Sequence, residues 1–228
     1  MTNKEFVRLL EDISKMKTYY IKGGFGHVLK ASNKKRLIDQ YKYNKDRADK
    51  INALDPSTFA FDCCGLIKGA LWGFTGDRVK TYGGAVYKAN GLDDVNEAGL
   101  LKLCKNVTTD LSKKEPGDFL YMSGHCGIYA GNGKVIECTP AGSCGVQITD
   151  FNRVKWTKCG KLPFIQYETI ASNKPTGSYS VYHIVRRGEN LSTIAVKHGF
   201  KNYKELWKLN PEIKNPHLIY VGQRIRIK

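Results

Sequence analysis

An α+β fold is predicted from three observations. Apolar residues recur at helical spacing up to about residue 110, they alternate at strand spacing in short runs from Gly117 onward, and residues 181–228 form a separate strand–helix–helix–strand pattern. Runs of helices followed by runs of strands indicate helices layered on an antiparallel sheet. The 228 residues, 41% of them hydrophobic and 11% aromatic, suffice for one medium core plus a small module and exclude global disorder.

Residues 1–17 mix Phe6, Val7, Leu9, Leu10 and Ile13 with charges in an amphipathic helical pattern. Glycines in Tyr19 to Gly26 mark a turn or a close backbone approach. From Lys30 to Lys50 eight basic residues face three acidic ones, with Leu37, Ile38, Tyr41, Ala48, Ile51 and Leu54 available as a buried stripe. That stretch reads either as a polyanion-facing insertion or as a solvated helix face. A helix over 62–74 follows, with Asp62 as its N-cap and Leu66, Ile67, Ala70, Leu71 and Phe74 at helical spacing. Strands are predicted at 118–122, 125–130, 134–139, 145–149 and near 156–162. Residues 171–180, rich in Asn, Lys, Pro, Thr, Gly and Ser, read as a linker between domains at 1–170 and 181–228. In the second domain, strands are expected at 182–185 and 218–227 and helices at 190–198 and 203–209.

Net charge is +16, so the surface attracts polyanions such as anionic wall polymers, membrane surfaces or nucleic acid. Nucleic acid is disfavoured because no matching motif accompanies the charge. Seven cysteines, an odd count in a chain too large to need stapling, suggest a reduced protein. No apolar run approaches the ~18 residues of a membrane span, and no signal-peptide core opens the sequence. The expectation is synthesis in a cytoplasm without a signal peptide.

The chemistry concentrates at two stretches, Phe61-Asp62-Cys63-Cys64-Gly65 and Gly124-His125 through Glu137. A cysteine in the first turn of a helix feels a dipole that favours thiolate, and with a distant histidine it forms an acyl-transfer centre. Glu137 reaches His125 only if the hairpin register allows it. A two-residue turn at Asn132-Gly133 would pair 130 with 135 and place 125 and 137 on opposite faces. A three-residue Gly131-Asn132-Gly133 loop pairs 130 with 134 and places them on one face, and this loop is the expectation. Glu137 would then orient the imidazole. A zinc site among Cys126, Cys138, Cys144, Cys159 and His125 lacks any Cys-x-x-Cys spacing, so neither metal nor cofactor is expected.

Asp62-Cys63-Cys64-Gly65, Pro116-Gly117-Asp118 and His125-Cys126-Gly127-Ile128-Tyr129-Ala130-Gly131-Asn132-Gly133 together resemble the NlpC-type cell-wall cysteine peptidases, which are papain-like. The resemblance covers about residues 1–167. It implies Cys63 as nucleophile, His125 as base, Glu137 in the third catalytic position where histidine is commoner, and the hydroxyl of Tyr20, three residues before Gly23-Gly24, near the nucleophile. Cys64 stands where that family usually has serine, so two adjacent thiols compete, and alignment to the motif selects Cys63. The implied substrate is the peptidoglycan stem peptide, typically the bond from γ-D-glutamate to the diamino acid. Cleavage after muramic acid by an amidase, or wall binding without catalysis, are the rival readings. Without a signal sequence such an enzyme looks like a phage or prophage lysin that reaches the wall after release.

Tyr182 to Ala195, with Leu209-Asn210-Pro211, Asn215-Pro216 and Leu218 to Gln223, resembles a LysM module. The resemblance implies binding of N-acetylglucosamine chains between Gly188, Glu189, Asn190 and Leu191 on one loop and Pro216, His217, Leu218 and Ile219 on another.

Overall fold

The computed structural model describes residues 1–167, 182–185, 188–220 and 223–227. The chain divides into two compact units, Met1–Thr169 and Ile170–Lys228. The expected linker at 171–180 lies outside the described residues.

In the first unit, α1 (Asn3–Ser14) starts at a capping box between Thr2 and Glu5 and buries Phe6, Val7, Leu10 and Ile13 on one face. Strands β1 (Thr18–Tyr20) and β2 (Phe25–Val28) flank the glycine turn that the sequence showed, although the strands themselves were not predicted. They sandwich β3 (Phe59–Phe61), parallel to β1 and antiparallel to β2.

Between β2 and β3 the basic stretch folds into α2 (Ala31–Gln40), α3 (Lys42–Lys45) and α4 (Ala48–Asn52). Leu37 and Ile51 join Ile21, Leu29 and Ala60 in a small core of their own. Asn44 is fully buried beneath these helices. Its side chain accepts from the Lys22 N–H at 3.1 Å and donates to the carbonyls of Lys22 and Leu37 at 2.9 and 2.7 Å. Lys34, buried as well, donates to the carbonyl of Asn52 at 2.8 Å. The segment is therefore part of the fold, with its polar groups used as internal ties.

Next comes α5 (Cys63–Leu71), buried on every side, then α6 (Glu97–Leu103) and β4 (Lys105–Thr108), a strand the periodicity did not reveal. The remaining strands are β5 (Phe119–Met122), β6 (His125–Gly131), β7 (Lys134–Thr139), β8 (Gly145–Asp150) and β9 (Lys158–Lys161). Together they form a six-stranded antiparallel sheet in the order β4-β9-β5-β6-β7-β8. One face buries Ile128, Ile136 and Cys138 against α1 and α5. The other covers a smaller cluster of Leu120, Val135, Trp156 and Cys159.

The second unit runs β10 (Tyr182–Ile184), α7 (Leu191–Lys197), α8 (Tyr203–Lys208) and β11 (Arg224–Arg226), with the two strands antiparallel. Val185, Leu191, Ile194, Ala195, Leu206, Ile213 and Ile225 form its core. The closing strand is shorter than expected, covering three residues instead of 218–227. No helix among the described residues is long and apolar enough to cross a membrane.

Candidate active site

Cys63 opens α5 directly after its N-cap. The Asp62 carboxylate accepts from the Gly65 N–H at 2.6 Å and from the Gly23 N–H at 2.7 Å, so one side chain fixes both the helix start and the glycine turn. Burial, followed by the neighbouring negative charge at Cys63, raises the Asp62 carboxyl to about 6 despite those two bonds. Gly65 is required by contact: a Cβ there would stand 1.8 Å from the Gly24 carbonyl oxygen.

The β6–β7 hairpin corrects the expected loop while keeping its consequence. The turn has two residues, Asn132 and Gly133, both left-handed with φ of 50° and 69°, and Gly131 pairs with Lys134. A bulge at Ala130 then shifts the register, so that Tyr129 pairs with Val135 and Ile128 with Ile136. The extra residue restores the parity that places His125 and Glu137 on one face. Between them sits Gly127, where a Cβ would come within 3.3 Å of the Glu137 Cβ and 2.8 Å of a Val135 methyl.

Glu137 is 1% exposed. It accepts from His125 Nε2 at 2.5 Å, from Arg153 Nε and Nη2 at 3.0 and 2.7 Å, and from the Thr149 hydroxyl. Burial works against its charge, but hydrogen bonds from His125, Arg153 and Thr149 outweigh it and bring the carboxyl down to about 2. With Nε2 taken, Nδ1 is the His125 nitrogen left for Cys63. Trp156 stacks on the imidazole with centroids 5.6 Å apart and planes 23° from parallel, which fixes the ring plane. Burial lowers the affinity of His125 for its second proton, yet hydrogen bonding and charge from Cys63 and Glu137 raise it to about 9. Hydrogen bonds from Cys126 and Cys64, and then the His125 ring, hold the Cys63 thiol far below its ordinary range against the effect of burial. The Cys64 and Cys126 thiols are pushed upward and stay protonated. The geometry thus supports a thiolate–imidazolium pair at Cys63, with Cys64 as a neutral neighbour.

Tyr20, at the end of β1, lines a cleft of about 800 Å³ with Cys63. Burial, and after it the negative charges at Cys63 and Asp62, push its phenol upward, so it is a proton-bearing donor. Arg47 of the helical insertion holds this strand, donating to the Tyr20 carbonyl at 3.3 Å and to the Tyr19 hydroxyl at 3.2 Å. Lys22, Arg36, Tyr41, Tyr43, Asp94 and Glu97 also line this cleft. Cys63, His125, Glu137 and Tyr20, four residues singled out from the sequence, are therefore gathered at one place.

The sequence profile of the NlpC/P60 family matches residues 39–161, more than half of the chain. The chain belongs to the NlpC/P60 family. The profile of the LysM domain matches residues 183–228. An endolysin of Bacillus phage B103 is 48% identical over 56 residues, which are 25% of this chain and 21% of the endolysin, so the chain spans about a fifth of that relative's length. The solved structures of NlpC1 and NlpC2 from Trichomonas vaginalis, at 17% and 16% identity, superpose with a TM-score of 0.40 each. They cover 70% of this chain and 43% and 45% of their own. Tyr20 precedes the matched NlpC/P60 region, whereas Cys63, His125 and Glu137 lie inside it.

Within the LysM domain the eight residues expected to bind glycan have mixed surroundings. Leu191 is buried in the core, Asn190 caps α7, and Glu189 accepts from His183 Nε2 at 2.6 Å and pairs with Lys197 at 3.2 Å. Gly188, His217 and Leu218 are exposed, while Pro216 and Ile219 are half-buried. A hollow of about 460 Å³ in this domain lies elsewhere, lined by Trp207, Lys208, Pro211, Ile213 and Lys214.

The sequence reading missed Arg153, Thr149 and Trp156 around His125 and Glu137. Only Thr149 carries a signal, that of register, since it lies diagonally from Glu137 across β7–β8, where Glu137 pairs with Gln147.

Proposed function

We propose that this NlpC/P60 protein is a peptidoglycan hydrolase that cleaves an amide bond of the stem peptide, the bond from γ-D-glutamate to the diamino acid, through a cysteine acyl-enzyme. The observation that carries the reading is the thiol of Cys63 at the N-terminus of α5 beside a His125 ring buttressed by Glu137 and Arg153. The LysM domain supports a glycan-binding role that holds the chain on the wall, and the positive charge suits anionic wall polymers. The resemblance to a phage endolysin supports a phage or prophage lysin, made in the host cytoplasm and acting on the wall after release.

In the reaction, the Cys63 thiolate attacks the carbonyl carbon and backbone N–H groups at the start of α5 face the oxygen that gains charge. The His125 imidazolium passes its proton to the amide nitrogen, the C–N bond breaks, and a thioester with Cys63 remains. His125, now neutral, takes a proton from water, which attacks the thioester and regenerates the thiolate–imidazolium pair with a free carboxyl product. Glu137 keeps the ring oriented and compensates its charge throughout, and the Tyr20 hydroxyl donates beside the sulfur.

Mass spectrometry of fragments released from purified walls of defined stem chemistry tests the reading. New ends at γ-D-glutamate and the diamino acid are expected. Fragments cut between muramic acid and L-alanine would replace the endopeptidase by an amidase, and no fragments from any wall chemistry would leave only wall binding.

A further inference from the structure

The sulfurs of Cys63, Cys64 and Cys126 meet, the first two lining the cleft, in a cluster the sequence spacing did not indicate because it joins a helix start to the second residue of β6. Cys63 and Cys64 Sγ are 3.9 Å apart, Cys64 and Cys126 Sγ 3.6 Å, and all three sulfurs lie within 4.8 Å of one another. None of the three is in a disulfide, and each is buried, at 7%, 7% and 0% exposure. A zinc–thiolate bond of about 2.3 Å in tetrahedral geometry sets neighbouring sulfurs roughly 3.8 Å apart. Two edges of the cluster therefore already have the length a zinc tetrahedron needs, and the third requires a closure of roughly 1 Å at most.

Soft sulfur donors select soft or borderline cations over the hard, oxygen-seeking magnesium and calcium. We propose that Cys63, Cys64 and Cys126 form a three-sulfur site for a thiophilic divalent cation of the zinc class, and that its occupancy ties up the nucleophilic sulfur. Three sulfur–metal bonds form as the protons still held by the thiols pass to solvent, and no electron is transferred. Cys63 and Cys64 line the open cleft, which gives a cation a path in. The bound form is thus a reversibly blocked state of the same cleft, set by the free concentration of the metal.

Zinc alone reads this site, so occupancy is measured without reference to hydrolysis. The full chain, reduced with a non-thiol phosphine, is titrated with Zn²⁺ against a chromophoric chelator, and with Co²⁺ for its sulfur charge-transfer bands. One equivalent should bind, with affinity falling by about 100-fold or more in Cys126→Ser and in Cys64→Ser. Cys138→Ser, which removes a thiol from β7 outside the cluster, should bind like the unaltered chain. Because a serine variant can fail to fold, X-ray absorption at the zinc edge of the unaltered chain supplies a second test, with three sulfurs at about 2.3 Å expected. Zinc coordinated by one sulfur or none, affinity unchanged in folded Cys64→Ser and Cys126→Ser, or equal loss in Cys138→Ser would overturn the proposal.

Discussion

A carboxylate as deeply buried as that of Glu137 is costly unless its charge is matched, and Arg153, His125 and Thr149 supply the match. The sign of its pH effect follows. Its folded value of about 2 lies below the ordinary 4.5, so the stability it contributes is present above about 4.5 and is lost as pH falls through about 2. Urea unfolding of the unaltered chain and of Glu137→Gln should therefore differ by a margin that is steady between about pH 5 and 6 and shrinks toward pH 2. His125 and Cys63 require another readout. Between about 6.5 and 9 the raised imidazole lowers stability with pH while the depressed thiol raises it, so the two slopes oppose one another. Wall hydrolysis is the measure there: its rate should decline as pH rises through about 9, where His125 loses the proton it must deliver. Gly65→Ala should destabilise the chain by about 3 kcal/mol, the upper end of overpacking costs, because its Cβ meets the Gly24 carbonyl; a denaturation midpoint close to that of the unaltered chain would contradict that packing. Cys63 and His125 stood out by residue type and setting and Glu137 by hairpin register, while Tyr20 rested on the family resemblance; the structure brings the four together, and their catalytic roles are proposals. Arg153 and Trp156 were not legible, since each reaches the site from the segment after β8 by folding back over the sheet.

At the scale of elements, the strands of the large sheet were readable from their alternation, with β7 found to the residue. β4 escaped because its four residues are largely exposed and show no buried alternation. β1 and β2 are short and lie beside glycines that read as a turn. The hairpin turn was misjudged while its parity was right, because a two-residue turn plus a bulge at Ala130 is equivalent in register to a three-residue loop. The basic insertion was open to two readings from sequence, since surface charge conceals a core as small as Leu37 and Ile51 with Ile21, Leu29 and Ala60. Besides the residues it lends to the cleft lining, the insertion is tied to the cleft through Asn44, which binds both polar groups of the Lys22 backbone. Asn44→Ala should cost about 1–3 kcal/mol by leaving buried partners unsatisfied. It should also raise KM more than it lowers kcat, because Lys22 lines the cleft while Cys63 and His125 keep their own supports. A fall in kcat at constant KM would contradict this division of roles.

For the whole molecule, two separate cores and two profile matches divide the chain into an NlpC/P60 part and a LysM part, to which the proposed function gives cutting and holding respectively. The C-terminal unit was legible as a βααβ pattern, and the glycan-binding role of its eight predicted residues is a proposal that binding measurements address. Residues 1–169 alone should retain hydrolysis of soluble stem-peptide fragments while sedimenting less with intact walls than the full chain. The net charge of +16 predicts that wall binding weakens as salt rises from about 0.05 to 0.5 M, where screening shortens from beyond 10 Å toward a few ångströms. The central claim is that the sulfur of Cys63 performs the cut. The most direct measurement is the appearance of new free amino groups in a suspension of purified walls, followed for the unaltered chain and for Cys63→Ala. Amino groups should accumulate with the unaltered chain and remain at the no-enzyme level with folded Cys63→Ala, whereas release by Cys63→Ala at the unaltered rate would contradict the account.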